Sequence, residues 1–218
     1  MVDGTRDVRV AAEANGPVGL RIATPMAIHW AQIALANAHA ARRARQALAD
    51  AQRRGSPLEF ALATELYASL VAVSAAAQAL DALFAELRPL VVTAEMAETW
   101  KKERTKRRQQ LRETFRQGFR IVGDQWGTDF DWLLDLRADS VRPGFAAGDP
   151  HAGSHPLGIG AAPEFCKFTA EQAERAVRLI VDVYLTCTAY PWPATREWAL
   201  EMEPMVERLR VDLDGALG

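Results

Sequence analysis

The sequence predicts an all-α protein, a helical bundle of five to six helices, on three observations. Apolar residues recur at three- and four-residue spacing through most of the chain, which lines them up along one face of a helix. The composition is globular, 49% hydrophobic and 25% charged, and rich in alanine, the residue that loses least on entering a helix. Glycine and proline gather near residues 55, 89 and 143–165 and cut the chain into helix-length pieces. With 218 residues there is enough chain for one sizeable core.

Residues 1–23 form an N-terminal arm. Within it, Asn15-Gly16 separates two alternating runs, Val8/Val10/Ala12 and Val18/Leu20/Ile22, a short β-hairpin signal. Pro17 cannot donate a ladder hydrogen bond, so an irregular arm is the alternative. The helical domain then spans 24–211. Thr24 caps its first helix with Pro25 in the first turn, and Gly55-Ser56-Pro57 stops it after Arg54. His29 and His39 are ten residues apart, about 1,000° of helical rotation, so they do not share a face as a metal pair would.

A second helix runs from Pro57 to Arg88, with Phe60, Leu66, Leu70, Val73, Leu80, Leu83, Phe84 and Leu87 as candidate core. Ser69, Ser74 and Ala75 to Ala77 are small enough to let a neighbouring helix approach. A third helix begins after the cap Thr93 and carries an apolar seam of Met96, Trp100, Leu111, Phe115 and Phe119.

The same stretch holds the strongest charge signal. Lys101, Lys102, Arg104, Lys106, Arg107, Arg108, Arg112, Arg116 and Arg120 face only Glu103 and Glu113, a local charge of +7 that leaves −9 on the rest of a chain whose net charge is −2. Such a surface tracks phosphates or docks on an acidic partner; a solvated face paired with nearby acids is the plain alternative. Lys101, Lys102, Arg104, Lys106, Arg107, Arg108 and Arg112 are the candidate nucleic-acid contacts.

In Asp124–Pro143, Trp126, Phe130, Leu133 and Leu134 line one helix face and Arg137 falls next on it, so this arginine is expected to point inward toward a carboxylate, backbone carbonyls, a symmetry mate or an anionic ligand. Pro143 ends the helix and gathers Asp139, Ser140 and Arg142 around its end. A loop follows over 143–168, whose first 23 residues contain five glycines and four prolines. It carries Asp149, His151 and His155, whose spacing is too common by chance to indicate a metal, and Gly158-Ile159-Gly160 lacks the flanking strand and helix of a phosphate loop.

Thr169-Ala170-Glu171-Gln172 is a capping-box pattern, opening a helix that buries Ala173, Ala176, Val177, Ile180, Val181 and Tyr184 until Tyr190-Pro191-Trp192-Pro193 breaks it. The last helix starts near Ala194 with Trp198, Met202, Val206 and Leu209 inward, Pro204 kinking or dividing it, and 212–218 as a tail.

Cys166 and Cys187 have neither zinc-ligand spacing nor disulfide-scaffold density, and read as reduced thiols. MVDGTRDVRV lacks the basic and apolar regions of a secretory signal, and no window of about 18 uninterrupted apolar residues exists to span a bilayer. The expectation is a cytoplasmic protein that engages no membrane. No nucleophile elbow, Walker loop, dinucleotide fingerprint or zinc-protease pattern occurs, and no cofactor is implied.

The segment LLDLRADSVRP resembles the signature of the HEPN superfamily (higher eukaryotes and prokaryotes nucleotide-binding), in which a helix ends in arginine, a polar residue, about three variable residues and histidine. The order of elements is similar too: long helices before the motif, then a Pro/Gly-rich passage and another helix. The resemblance implies a helical bundle, often dimeric, and in many members a metal-independent ribonuclease of toxin, antiviral or RNA-processing systems. Arg137 matches the motif arginine, while Ala138 replaces the polar residue and Arg142 stands where the family has histidine.

In that family arginine steadies the phosphate and histidine moves the proton. Arg142 cannot replace the histidine, because guanidinium does not release its proton near neutral pH. Arg137, Arg142, His151 and His155 are therefore the candidate site. Three readings follow. The first is a HEPN-like RNA-binding or regulatory protein that has lost catalysis, of a prokaryotic defence or toxin-antitoxin type. The others are an active ribonuclease using a displaced histidine, His151 or His155, and a helical interaction module unrelated to RNA. RNA, a second copy in a homodimer with the Asp124–Arg142 helix or its loop near the axis, and a protein encoded by a neighbouring gene are the partners implied.

Overall fold

A computed structural model describes residues 25–121, 125–140 and 153–217, so the N-terminal arm, Arg142 and His151 lie outside the described residues. Two long antiparallel helices form the spine, α1 (Met26–Arg54) and α2 (Glu59–Val91). They are joined at Gly55, whose φ of 64° suits glycine, while Gly55 N–H and Ser56 N–H donate to the carbonyls of Gln52 and Ala51 and close α1. α1 buries mostly alanine (Ala27, Ala31, Ala34, Ala38, Ala41) and α2 adds Ala68, Ala72, Ala75 and Ala76. Small side chains let two helix axes come close, which is what the alanine-rich composition serves here.

By length and composition α2 is apolar enough to cross a bilayer, yet 56% of its most apolar window is buried within the bundle. On one side of this pair lies α7 (Ala170–Ala189), packed against both helices, and α8 (Arg196–Leu217) packs on α7 and α1 after one turn of 3-10 helix at Pro193–Thr195. α4 (Arg107–Gly118) and α5 (Gly127–Ser140) also pack on α2, preceded by α3 (Ala94–Glu103), and α5 meets α7 through the pair Asp129–Arg175. Phe115, Phe119, Trp126 and Phe130 form a run of tilted, edge-on and stacked rings between α4 and α5, with ring centroids 5.6–6.1 Å apart.

The fold is the all-α bundle expected, divided more finely than five or six helices. The third helix is two. Thr93 caps α3 as predicted, its hydroxyl accepting from Met96 N–H at 3.2 Å, but Arg104 turns left-handed (φ 52°) and the chain folds back. Trp100 Nε1 then donates to Glu113 at 2.7 Å. In one straight helix these residues would stand about 20 Å apart.

The later part of the Gly/Pro-rich passage is a small hairpin, β1 (Gly153–Ser154) against β2 (Gly160–Ala161), turned at Gly158 (φ 72°), followed by the short α6 (Pro163–Lys167). Residues 212–217, expected as tail, continue α8. Leu213 and Leu217 are buried, and Arg42 and Arg178 donate to the last carbonyls, of Ala216 and Leu217. α8 passes through Pro204 without dividing.

Candidate functional site

Arg137 ends the buried face of α5 instead of extending it. Phe130, Leu133 and Leu136 take the inward positions, and Arg137, 35% exposed, reaches across to α2, where Nη1 lies 3.0 Å from Asp81 Oδ2. The other oxygen of Asp81 accepts from Arg107 Nε at 3.2 Å and Nη2 at 3.1 Å, and the same guanidinium lies 3.5 Å over the ring of Phe84. Two guanidinium groups thus share one carboxylate at the meeting of α2, α4 and α5. At the end of α5 the Ser140 hydroxyl donates to the Arg137 carbonyl at 2.7 Å, and Asp139 pairs with Lys167 of α6.

The basic stretch divides into two populations. Arg107 is held by Asp81, Arg108 by Asp135 and Asp131, and Arg112 by Asp131 and the Gly127 carbonyl. For these three the paired-face alternative describes the geometry. Lys101, Lys102, Arg104 and Lys106 are exposed around the α3–α4 turn and, among the described residues, have no carboxylate within ion-pair distance. α4 also opens without an acid in its first turn and without a side-chain cap, so Lys106, Arg107 and Arg108 crowd the positive end of a helix dipole.

His155 is elsewhere. It is buried, and its Nε2 lies 3.3 Å from Glu65 Oε2 on α2, within ion-pair distance but poorly aligned for a hydrogen bond. Its Nδ1 accepts from Leu157 N–H at 3.3 Å, which puts the proton of the neutral ring on Nε2, facing the carboxylate. Burial first, and then the positive charge of Arg45, hold the His155 pKa below its ordinary value.

Glu65 is 1% exposed and is the centre of this cluster. It accepts from Arg45 Nε at 3.0 Å and from the Ala170 N–H at 2.8 Å, while Arg45 also binds Glu171. Glu65 thus caps α7, the task that spacing had assigned to Thr169, whose hydroxyl makes no cap bond. Asp81 and Glu65 are 16 positions apart on α2, about 24 Å along its axis and about 160° around it. One protomer therefore does not bring Arg137 and His155 together.

Sequence reasoning missed the buried cluster, although a signal existed. Glu65 sits on the seam continued by Ser69, Ala72, Ala76, Leu80 and Leu83, and a carboxylate on such a seam needs a cation. A groove of about 580 Å³ runs along α7 from Glu171 past Arg175 and Arg178 to Trp126 and Asp182. Its charges are matched internally, Arg175 by Asp129 and Arg178 by Glu174, and the indole of Trp126 donates to Asp182 at 2.7 Å. Among the described residues no three His, Cys, Asp or Glu side chains gather as a metal site.

No protein-family model, curated protein or solved structure matches the chain.

Proposed function

We propose that the chain is a HEPN-like RNA-binding or regulatory protein with a degenerate, non-cleaving motif, of the kind that serves prokaryotic defence or toxin-antitoxin systems, and that it acts as a homodimer. The observation that carries this reading is the charge arrangement where α4 begins. Lys106, Arg107 and Arg108 stand at the positive end of a helix whose first turn holds no acid, and Arg137 arrives from α5 at the carboxylate that already serves Arg107. An RNA phosphate seated there takes the free N–H groups of the first turn and offsets the excess charge. Lys101, Lys102 and Arg104 extend the positive surface along the strand's path.

The absence of cleavage follows from the same chemistry. Metal-independent hydrolysis needs a group that moves protons beside the phosphate. Arg142 cannot be that group, and His155 is enclosed on another side of α2.

Two measurements test the reading. Reversing Lys101, Lys102, Arg104 and Lys106 to glutamate should weaken binding of single-stranded RNA whatever its sequence. The same change should flatten the salt dependence by about 0.7 log unit for each phosphate no longer neutralised, without removing the partners of Asp81 and Asp135. Purified protein in EDTA should leave RNA intact. Cleavage that disappears in His151→Ala or His155→Ala would install the displaced-histidine ribonuclease instead.

A second reading, a protein-interaction module, is favoured by one feature. Phe60, Tyr67 and Val71 form an exposed apolar stripe on the first half of α2. A second copy covering it serves the dimer; a protein from a neighbouring gene serves this alternative, which takes precedence if the parent protein binds no RNA at low salt.

A further inference from the structure

Far from the α3–α4 turn, at the other end of α4, the chain presents two large aromatic side chains to solvent. Tyr190 is 57% exposed and Trp192 is 42% exposed. They stand on either side of Pro191: Tyr190 closes α7 (φ −128°, ψ 51°), and Trp192 is extended (φ −77°, ψ 166°). The segment is pinned against the end of α4. Arg120 N–H donates to the Tyr190 carbonyl at 2.8 Å, Trp192 N–H donates to the Gly118 carbonyl at 3.0 Å, and Phe119 pairs with Pro191 between them.

Thr195 adds a hydroxyl bond to the Gly118 carbonyl at 2.5 Å. Pro191 and Pro193 fix their own φ on either side of Trp192, so little backbone freedom remains to be given up on binding. Gly118 suits this approach: a Cβ there would lie 3.3 Å from both Thr195 Cγ2 and Val91 Cγ1, and those methyls would have to give by a few tenths of an ångström.

The flanking charge is positive. The Arg120 guanidinium lies 4.9 Å over the Trp192 ring, and Arg116 is exposed one turn earlier on α4. Neither arginine has a carboxylate within ion-pair distance among the described residues. Exposed aromatic rings on a pinned segment, with arginines that have no carboxylate partner among the described residues, are what unstacked bases and their phosphates fit.

We infer that Tyr190 and Trp192, with Arg116 and Arg120, form a base-stacking platform for single-stranded RNA. This rests on the RNA reading above and adds a second point of attachment to it. Phosphates bind at the α3–α4 turn, and bases stack at the far end of α4, which at 12 residues is about 18 Å long. A single strand spans that distance with a few nucleotides. A duplex does not offer its bases, so it engages the basic turn alone.

The experiment is fluorescence anisotropy with a labelled twelve-nucleotide oligoadenylate and a blunt-ended RNA duplex of twelve base pairs. Tyr190→Ala and Trp192→Ala should each weaken oligoadenylate binding roughly ten-fold, leave the salt slope in place and leave duplex binding unchanged, while Trp192→Phe keeps most of the affinity. Thermal unfolding of each variant reports whether the segment still folds, and Trp192→Phe carries the comparison if Trp192→Ala does not. Binding by the parent that is unchanged in Tyr190→Ala and Trp192→Ala removes the platform and leaves the RNA reading standing. Equal weakening for single strand and duplex also removes it. A parent that binds neither RNA overturns both, and capture of a proline-rich or other peptide by Tyr190 and Trp192 would make the patch a protein-docking site.

Discussion

Glu65 shows how much one side chain can hold. It joins Arg45 of α1, the first N–H of α7 and His155 of the hairpin in one buried place. Glu65→Leu should destabilise the fold by about 3 kcal/mol in urea unfolding, because it leaves a mostly buried guanidinium with Glu171 alone and takes the acceptor from the first N–H of α7. Pairing it with Arg45→Met should recover much of that; a change under about 1 kcal/mol in the single variant would mean that water already reaches the cluster. His155 adds a pH dependence with a definite sign. Its folded-state pKa lies below the ordinary 6.5, so the unfolded chain takes up the proton first as pH falls. The stability that the neutral ring contributes is complete above about 6.5 and declines below it, until the folded form also protonates. Unfolding free energies at pH 7.5 and 5.5 should differ more for the parent than for His155→Gln, and equal slopes would refute the assignment. Arg137 is a contrasting case: partly exposed against Asp81, it is expected to contribute no more than about 1 kcal/mol, so Arg137→Gln should fold normally and report on RNA affinity alone.

At the scale of elements, local chemistry accounts for some boundaries and tertiary packing for others. Gly55 and Thr93 act within a few residues of themselves, and each stops or starts a helix where its residue type indicates. Arg104 does not. A left-handed arginine costs about 1–2 kcal/mol against the helical alternative, and it is held there because folding α4 back buries Trp100, Leu111 and Phe115. Arg104→Gly should therefore stabilise the protein, by about 1 kcal/mol in chemical denaturation, while weakening RNA binding slightly. A destabilised variant would show that the arginine side chain makes an interaction that the fold needs. α8 is the same kind of case: arginines on α1 and α7 donate to its last carbonyls, and no residue near 212 announces that the helix continues.

For the whole molecule, the exposed stripe on α2 is the feature that a lone bundle leaves unexplained. Phe60 is 85% exposed and Tyr67 67% exposed, and α5 covers the same helix only further along, where Ser140 meets Ser74 at 3.5 Å. Two aromatic rings of about 150–250 Å² each, repeated by a two-fold axis, approach the roughly 1,000 Å² that a specific interface buries. Light scattering at tens of micromolar should report a dimer, and Phe60→Lys with Tyr67→Lys should convert it to monomer without loss of helicity; a monomeric parent would reject the homodimer. What the sequence determined by itself is whatever depends on near neighbours: the helical class, the apolar faces, the caps at Gly55 and Thr93, the excess charge of 101–120 and the placement of Arg137 at the end of α5. Only the tertiary structure decided which of those charges are neutralised. Arg107, Arg108 and Arg112 meet carboxylates 19 to 27 positions away in the chain, His155 meets one 90 positions away, and Tyr190 and Trp192 are set beside Arg120 by a backbone bridge. An ion pair or an exposed face is a property of two elements brought within a few ångströms, and helical periodicity describes only one element at a time.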